Sequence, residues 1–110
     1  MPTVNIYAGS GDEQPRLAAA VPAIKRHVAE ALTCGDITLT PDEVSVRIVV
    51  VARGSGMIGN IEADVVAHAF EDRVRRSDAI ALAFASFLET VTDRPVKAWL
   101  SLTELGHSWS

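Results

Sequence analysis

The second residue of the chain is a proline. Once Met1 is removed, its nitrogen is a secondary amine held in a rigid ring, with a fixed lone-pair direction. An α-amino group titrates near ~8, and burial or nearby cations lower that value because both disfavour the ammonium form. A base poised near neutrality is the efficient one. With Met1 in place the same nitrogen is an amide and cannot accept a proton. Arg73, Arg75 and Arg76 form the densest cluster of cations. They read first as a solvated helix entrance pairing with Glu71, Asp72 and Asp78. As a group they could also hold a carboxylate or phosphate. His27 reads as a helix-surface residue and His68 as a satisfied histidine within an apolar strand. His107 and Trp109 lie in the tail. Cys34 stands at a helix end with no histidine nearby in the pattern, so it reads as a small residue rather than a nucleophile. Gly54-Ser55-Gly56 with Ile58-Gly59 is not a phosphate loop: no Lys-Ser/Thr follows, and it joins two strands rather than opening a helix.

The elements that must position these groups follow from periodicity. Residues 3–8 alternate apolar and polar, as a strand does. Gly9, Ser10 and Gly11 end it, and Asp12 suits a helix N-cap with Pro15 in the first turn. Leu17, Val21, Ile24, Val28 and Leu32 then define one apolar helix face. Pro22 removes a mid-helix hydrogen bond, so this helix is either kinked or begins near Val21. It stops before Gly35. Val44–Ala52 is a β-branched run and reads as a strand. Its Arg47 shares a face with Ser45 and Val49, opposite Val44, Val46 and Ile48. Residues 53–60 are a glycine-rich hairpin link. Ile61–Phe70 is a third strand. Ser77 or Asp78 can cap a second helix with Ile80, Phe84, Phe87, Leu88 and Val91 on its apolar side, and Arg94-Pro95 ends it. Val96–Leu102 alternates again.

The order is thus β-α-β, a link, and β-α-β. The predicted fold is α+β: a two-layer sandwich in which a four-stranded sheet carries both helices on one face. Parallel strands within each unit follow from the crossover rule. The uncovered face is expected to be partly apolar and to call for a partner subunit. One domain over residues 1–110 is expected, with the first unit at 1–52, the link at 53–60, and the second unit and tail at 61–110.

Bulk properties bound the function. With 110 residues, 48% hydrophobic and 22% charged, the chain resembles an ordinary globular one. A domain of this size is marginal alone, which also favours oligomerisation. The net charge of −4 gives a nucleic-acid role no support. A single cysteine allows no internal disulfide or multi-cysteine metal site and suits a cytoplasmic location. No segment reads as a signal peptide, and the apolar stretches fall far short of the ~20 residues that span a bilayer.

The first 60 residues resemble 4-oxalocrotonate tautomerase and its relatives. The resemblance rests on Met1-Pro2 leading into a strand, Asp12-Glu13-Gln14 opening a helix, Ser45-Val46-Arg47-Ile48, and Ala52-Arg53-Gly54 with Ile58-Gly59. The second half has the layout of longer members of the tautomerase superfamily, including the 5-carboxymethyl-2-hydroxymuconate isomerases and the macrophage migration inhibitory factor family. Its Arg76-Ser77 helix start resembles their basic-Ser entry. The resemblance implies a cofactor-free and metal-free isomerase acting on a small 2-oxo or 2-hydroxy carboxylic acid. Pro2 would be the general base. Arg47 would bind a carboxylate or polarise a carbonyl. Arg76, Arg73 and Trp109 are further substrate-contact candidates. A homotrimer with sites at subunit boundaries is also implied. Two features depart from the pattern. Ser10 or Gly11 stands where an arginine is usual, and Gly56 or Met57 where a phenylalanine is. Arg53, Arg73, Arg75 or Arg76 would have to supply the missing charge, and dicarboxylate specificity does not carry over. The alternative expectation is a non-enzymatic ligand-binding or assembly protein that keeps the fold.

Overall fold

The computed structural model describes residues 2–9, 13–35, 37–52, 56–58 and 60–104. Strand β1 (Thr3–Ala8) leads to helix α1 (Glu13–Leu32), a 3-10 turn (Pro41–Glu43) and strand β2 (Ser45–Val50). Strand β3 (Ile61–His68), the short helix α2 (Glu71–Arg75), helix α3 (Ser77–Thr92) and strand β4 (Val96–Thr103) complete the order. The strands form one sheet in the order β2-β1-β3-β4. β1 is parallel to β2, with Thr3 opposite Ser45, and β3 is parallel to β4, with Ile61 opposite Val96. The two β-α-β units meet at the antiparallel pair β1–β3, where Thr3 faces Val66 and Ala8 faces Ile61. This is the expected two-layer α+β architecture.

Alternation decides which face is covered. Val4, Ile6, Ala8, Ile61, Ala63, Val65 and Ala67 are buried and pack with Leu17, Ile24, Val28 and Leu32 of α1 and Ile80, Phe84 and Leu88 of α3. Phe84 anchors this layer at 2% exposure; truncating a phenylalanine so enclosed costs about 3–5 kcal/mol. The opposite face is partly apolar, as expected. It carries Thr3, Asn5, Arg47, Asp64 and Lys97 together with Tyr7, Val49 and Val66, and Trp99 stands 46% exposed on β4.

Several local expectations are corrected. Of the two readings of Pro22, a helix start near Val21 is overturned: α1 runs from Glu13 through Pro22 to Leu32. Both Pro22 and Ala18, whose carbonyl loses its helical donor, lie on the exposed side, where solvent can satisfy it. β2 and β3 do not pair but flank β1, so they are not the two arms of a hairpin. α2 was not anticipated. It runs almost directly into α3, so the N-cap position belongs to Arg76, with Ser77 already helical. The Asp12 N-cap, Arg53, His107 and Trp109 lie outside the described residues.

Candidate functional site

One end of the molecule gathers the start of β1 and β2, the finish of β3, the last turn of α1, and α2. Pro2 sits there at the head of the central strand. It is buried, and its carbonyl accepts the Ser45 N–H at 3.0 Å. By alternation its ring belongs to the covered series of Val4, Ile6 and Ala8. The proline is therefore fixed on both sides of its peptide carbonyl, by ring and by ladder.

Arg47 lies on the other face. It is exposed, opposite Asn5 in the β1–β2 register, and its Nη1 donates to Asn5 Oδ1 at 3.4 Å. Asn5 Nδ2 in turn donates to Asp64 Oδ1 at 3.1 Å, across the β1–β3 pair. Arg47, Asn5 and Asp64 thus form one rung across three strands. Pro2 and Arg47 are not brought together within one subunit. Sequence reasoning missed Asn5 and Asp64; both appear as polar residues on alternating strands, but only the register reveals that they share a rung with Arg47.

The arginine cluster divides. Arg73 is only 2% exposed, so a solvated entrance does not describe it. Its Nε donates to the Leu32 carbonyl at 2.9 Å and its Nη1 to the His68 carbonyl at 3.0 Å, and the guanidinium lies 4.8 Å from the Phe70 ring centre. Burial pushes its pKa down, while the neighbouring Cys34 thiol acts in the opposite sense. Cys34 itself is buried, its backbone paired with Ile37 in both directions. Arg76 is 37% exposed. It reaches the carbonyls of Ala31 and Thr33 at 3.3–3.4 Å and binds Asp72. α1 has no basic residue in its last turn, so the cations that answer its unpaired carbonyls and its negative dipole end come from the second half of the chain. Arg75 pairs with Asp72 at 2.6 Å, as expected from their spacing. Arg76, with Arg75, holds the Asp72 carboxyl below the usual carboxylate range.

Two histidines differ from expectation. His27 is not a surface group: it stacks on Phe87, with ring centres 4.6 Å apart, between α1 and α3, and its Nε2 is buried without a hydrogen-bond partner. His68 is half-buried at the finish of β3, edge-on to Phe70 at 4.5 Å. It faces Thr103 across β3–β4, whose hydroxyl is also buried and unpartnered.

No protein-family model and no curated protein matches the sequence. Solved structures do match the fold. A macrophage migration inhibitory factor-like protein from Entamoeba histolytica superposes with a TM-score of 0.69 at 9% identity, covering 99% of this chain and 96% of that one. A member of the cis-3-chloroacrylic acid dehalogenase family gives a TM-score of 0.71 at 11% identity, covering 93% and 75%. A wild-type fused 4-OT, solved as an asymmetric trimer, gives 0.70 at 12% identity, covering 96% and 91%. The chain shares the fold of these structures, in line with the resemblance read from its sequence.

Proposed function

We propose that the chain is a cofactor-independent isomerase in which Pro2, freed of Met1, is the general base. Its substrate class is a small 2-oxo or 2-hydroxy carboxylic acid. The amine removes a proton from carbon next to the carbonyl, and the resulting enol is reprotonated at another position. The observation that carries this reading is the setting of Pro2: buried at the head of the central strand, with its carbonyl held by Ser45. Burial disfavours the ammonium form and keeps such an amine available as a base. Arg47 is the proposed anion binder. Because Arg47 and Pro2 belong to opposite faces of the sheet, the reading uses Arg47 of one subunit beside Pro2 of another, in a homotrimer. Arg76, with part of its guanidinium exposed, and Trp109 are proposed as further substrate contacts; Arg73 contributes by framing the same end of the sheet.

The burial of Pro2 also favours a second reading. A proline sealed in the subunit and still acylated by Met1 would leave a ligand-binding or assembly protein that keeps the fold without the chemistry. Intact-mass spectrometry of the purified protein, before and after treatment with pyruvate and borohydride, separates the two. Loss of the Met1 mass and a trapped adduct at Pro2 are expected. A retained Met1 with no adduct sinks the isomerase reading.

A further inference from the structure

We propose that Asp64 is a positioning residue: acting through Asn5, it fixes the guanidinium of Arg47 to receive a single carboxylate. The inference rests on Arg47 being the anion binder.

The logic lies in the donor and acceptor inventory of the rung. A guanidinium has only donors and an ionised carboxylate only acceptors. Asn5 stands between them and offers one of each. Its oxygen therefore faces Arg47, at 3.4 Å from Nη1, and its NH2 group faces Asp64, at 3.1 Å from Oδ1. The reverse orientation would set donor against donor and acceptor against acceptor. Asp64 does not touch Arg47 in this chain of contacts, yet it determines which end of the amide Arg47 meets.

Placement strengthens the case. Arg47 is exposed on an edge strand. A long side chain in that setting loses considerable rotamer freedom when a ligand immobilises it. Asn5 is on the central strand and Asp64 on the next, both half-buried. The rung thus anchors a mobile cation to the two innermost strands. One of the five guanidinium N–H groups is committed to Asn5. Among the described residues the four others have no partner, enough for one bidentate carboxylate. A single oriented cation suits a monocarboxylate. A second carboxylate would have to be met by a cation outside the rung, such as Arg76.

Electrostatics supplies a control of opposite sign. Replacing Asp64 by Leu removes both the acceptor that holds Asn5 and a negative charge near Arg47; by Coulomb attraction alone the loss of charge would tighten anion binding. Loss of positioning would weaken it. The sign of the change therefore separates the two effects.

The test uses the full-length protein, with pyruvate as the monocarboxylate probe and NMR as the readout. In the wild type, the Arg47 Nε–H is expected to be more ordered than that of the exposed Arg26 on α1. The two Asn5 amide protons should be well resolved. In Asp64→Leu, which leaves Asn5 without its acceptor, Arg47 should become as mobile as Arg26, and pyruvate should bind about fivefold more weakly, the size of one modest hydrogen bond. Asp64→Glu should restore part of both signals. Equal mobility of Arg47 and Arg26 in the wild type overturns the proposal. So does unchanged or tighter pyruvate binding in Asp64→Leu. Should Arg47→Ala leave pyruvate binding intact, the anion-binding role of Arg47 fails, and with it the carboxylate half of this inference. The side-chain order measurements then decide the Asp64–Asn5–Arg47 half by themselves.

Discussion

Arg73 shows how a residue that looks chemical can be architectural. An isolated guanidinium in a protein interior is costly unless its donors find acceptors. Here the acceptors are backbone carbonyls of two different elements, Leu32 at the close of α1 and His68 at the close of β3, with Phe70 beneath the cation. Replacing Arg73 by Met keeps bulk but leaves both carbonyls without that donor. We expect a loss of about 3 kcal/mol in urea unfolding, in the range for a broken buried network. Arg73→Lys should recover little of it, because an ammonium does not reproduce the planar fork. A loss of less than about 1 kcal/mol, the ordinary scale of a point mutation, would mean that solvent satisfies these carbonyls readily. This role was not legible in sequence. Arg73 sits among Glu71, Asp72 and Asp78, and local charge spacing correctly identified the Asp72 pairs of Arg75 and Arg76. It could not show that the partners of Arg73 are distant backbone atoms, 41 residues away in the case of Leu32.

At the level of elements, alternation in β1 and β4 and the 3.6-residue period of α1 and α3 were readable because each element buries one face. Failures arose where local signals compete with tertiary context. Pro22 suggests a break, yet α1 continues because its interior face, from Leu17 to Leu32, packs without interruption. α2 is too short for a period to show. His27 falls between Ile24 and Val28 of the apolar stripe, and whether such a flanking position meets water or a neighbouring helix depends on α3. Its environment has a pH consequence. Burial lowers the His27 pKa from its ordinary 6.5, and Glu30, which raises it, only partly offsets this. A histidine whose folded-state pKa is depressed favours the fold when neutral. Its contribution is full above pH 6.5 and declines as pH falls below that value toward the lowered one. The melting temperature should therefore drop between pH 7 and pH 5, and His27→Leu should flatten that part of the profile. An unchanged profile in the variant would assign the pH response to other groups.

For the whole molecule, the exposed sheet face is the feature on which the proposed trimer depends. Its polar rungs make it an unusual surface to hide, but Trp99 stands on it nearly half exposed. The proposed trimer would draw Trp99 toward a subunit boundary. Sedimentation analysis is expected to give a mass three times that of the chain, and Trp99→Glu should shift the population toward monomer. A wild-type monomer across the micromolar range would remove the subunit-boundary site from the proposed function. The partly apolar face expected from sequence is present, with Tyr7, Val49, Val66 and Trp99 on it, but its polar rung was not foreseen. Strand alternation reveals which residues face away from the helices, but not that strand register would align an arginine, an asparagine and an aspartate into one hydrogen-bonded rung.

The ends of the two long helices bind the halves of the chain together in a reciprocal way. Arg73 and Arg76, from the second half, donate to the closing carbonyls of α1. Arg16, from the first half, donates to the Thr92 carbonyl that closes α3, at 2.8 Å, and Glu13 meets Arg94 at the same end. Each half supplies a guanidinium to closing carbonyls of the other half's long helix. Although the chain reads as one motif used twice, its halves are not interchangeable modules. A chimera that borrows one half from another such protein must bring along a guanidinium at the right place on both sides of the junction, or leave closing carbonyls of each long helix without that donor.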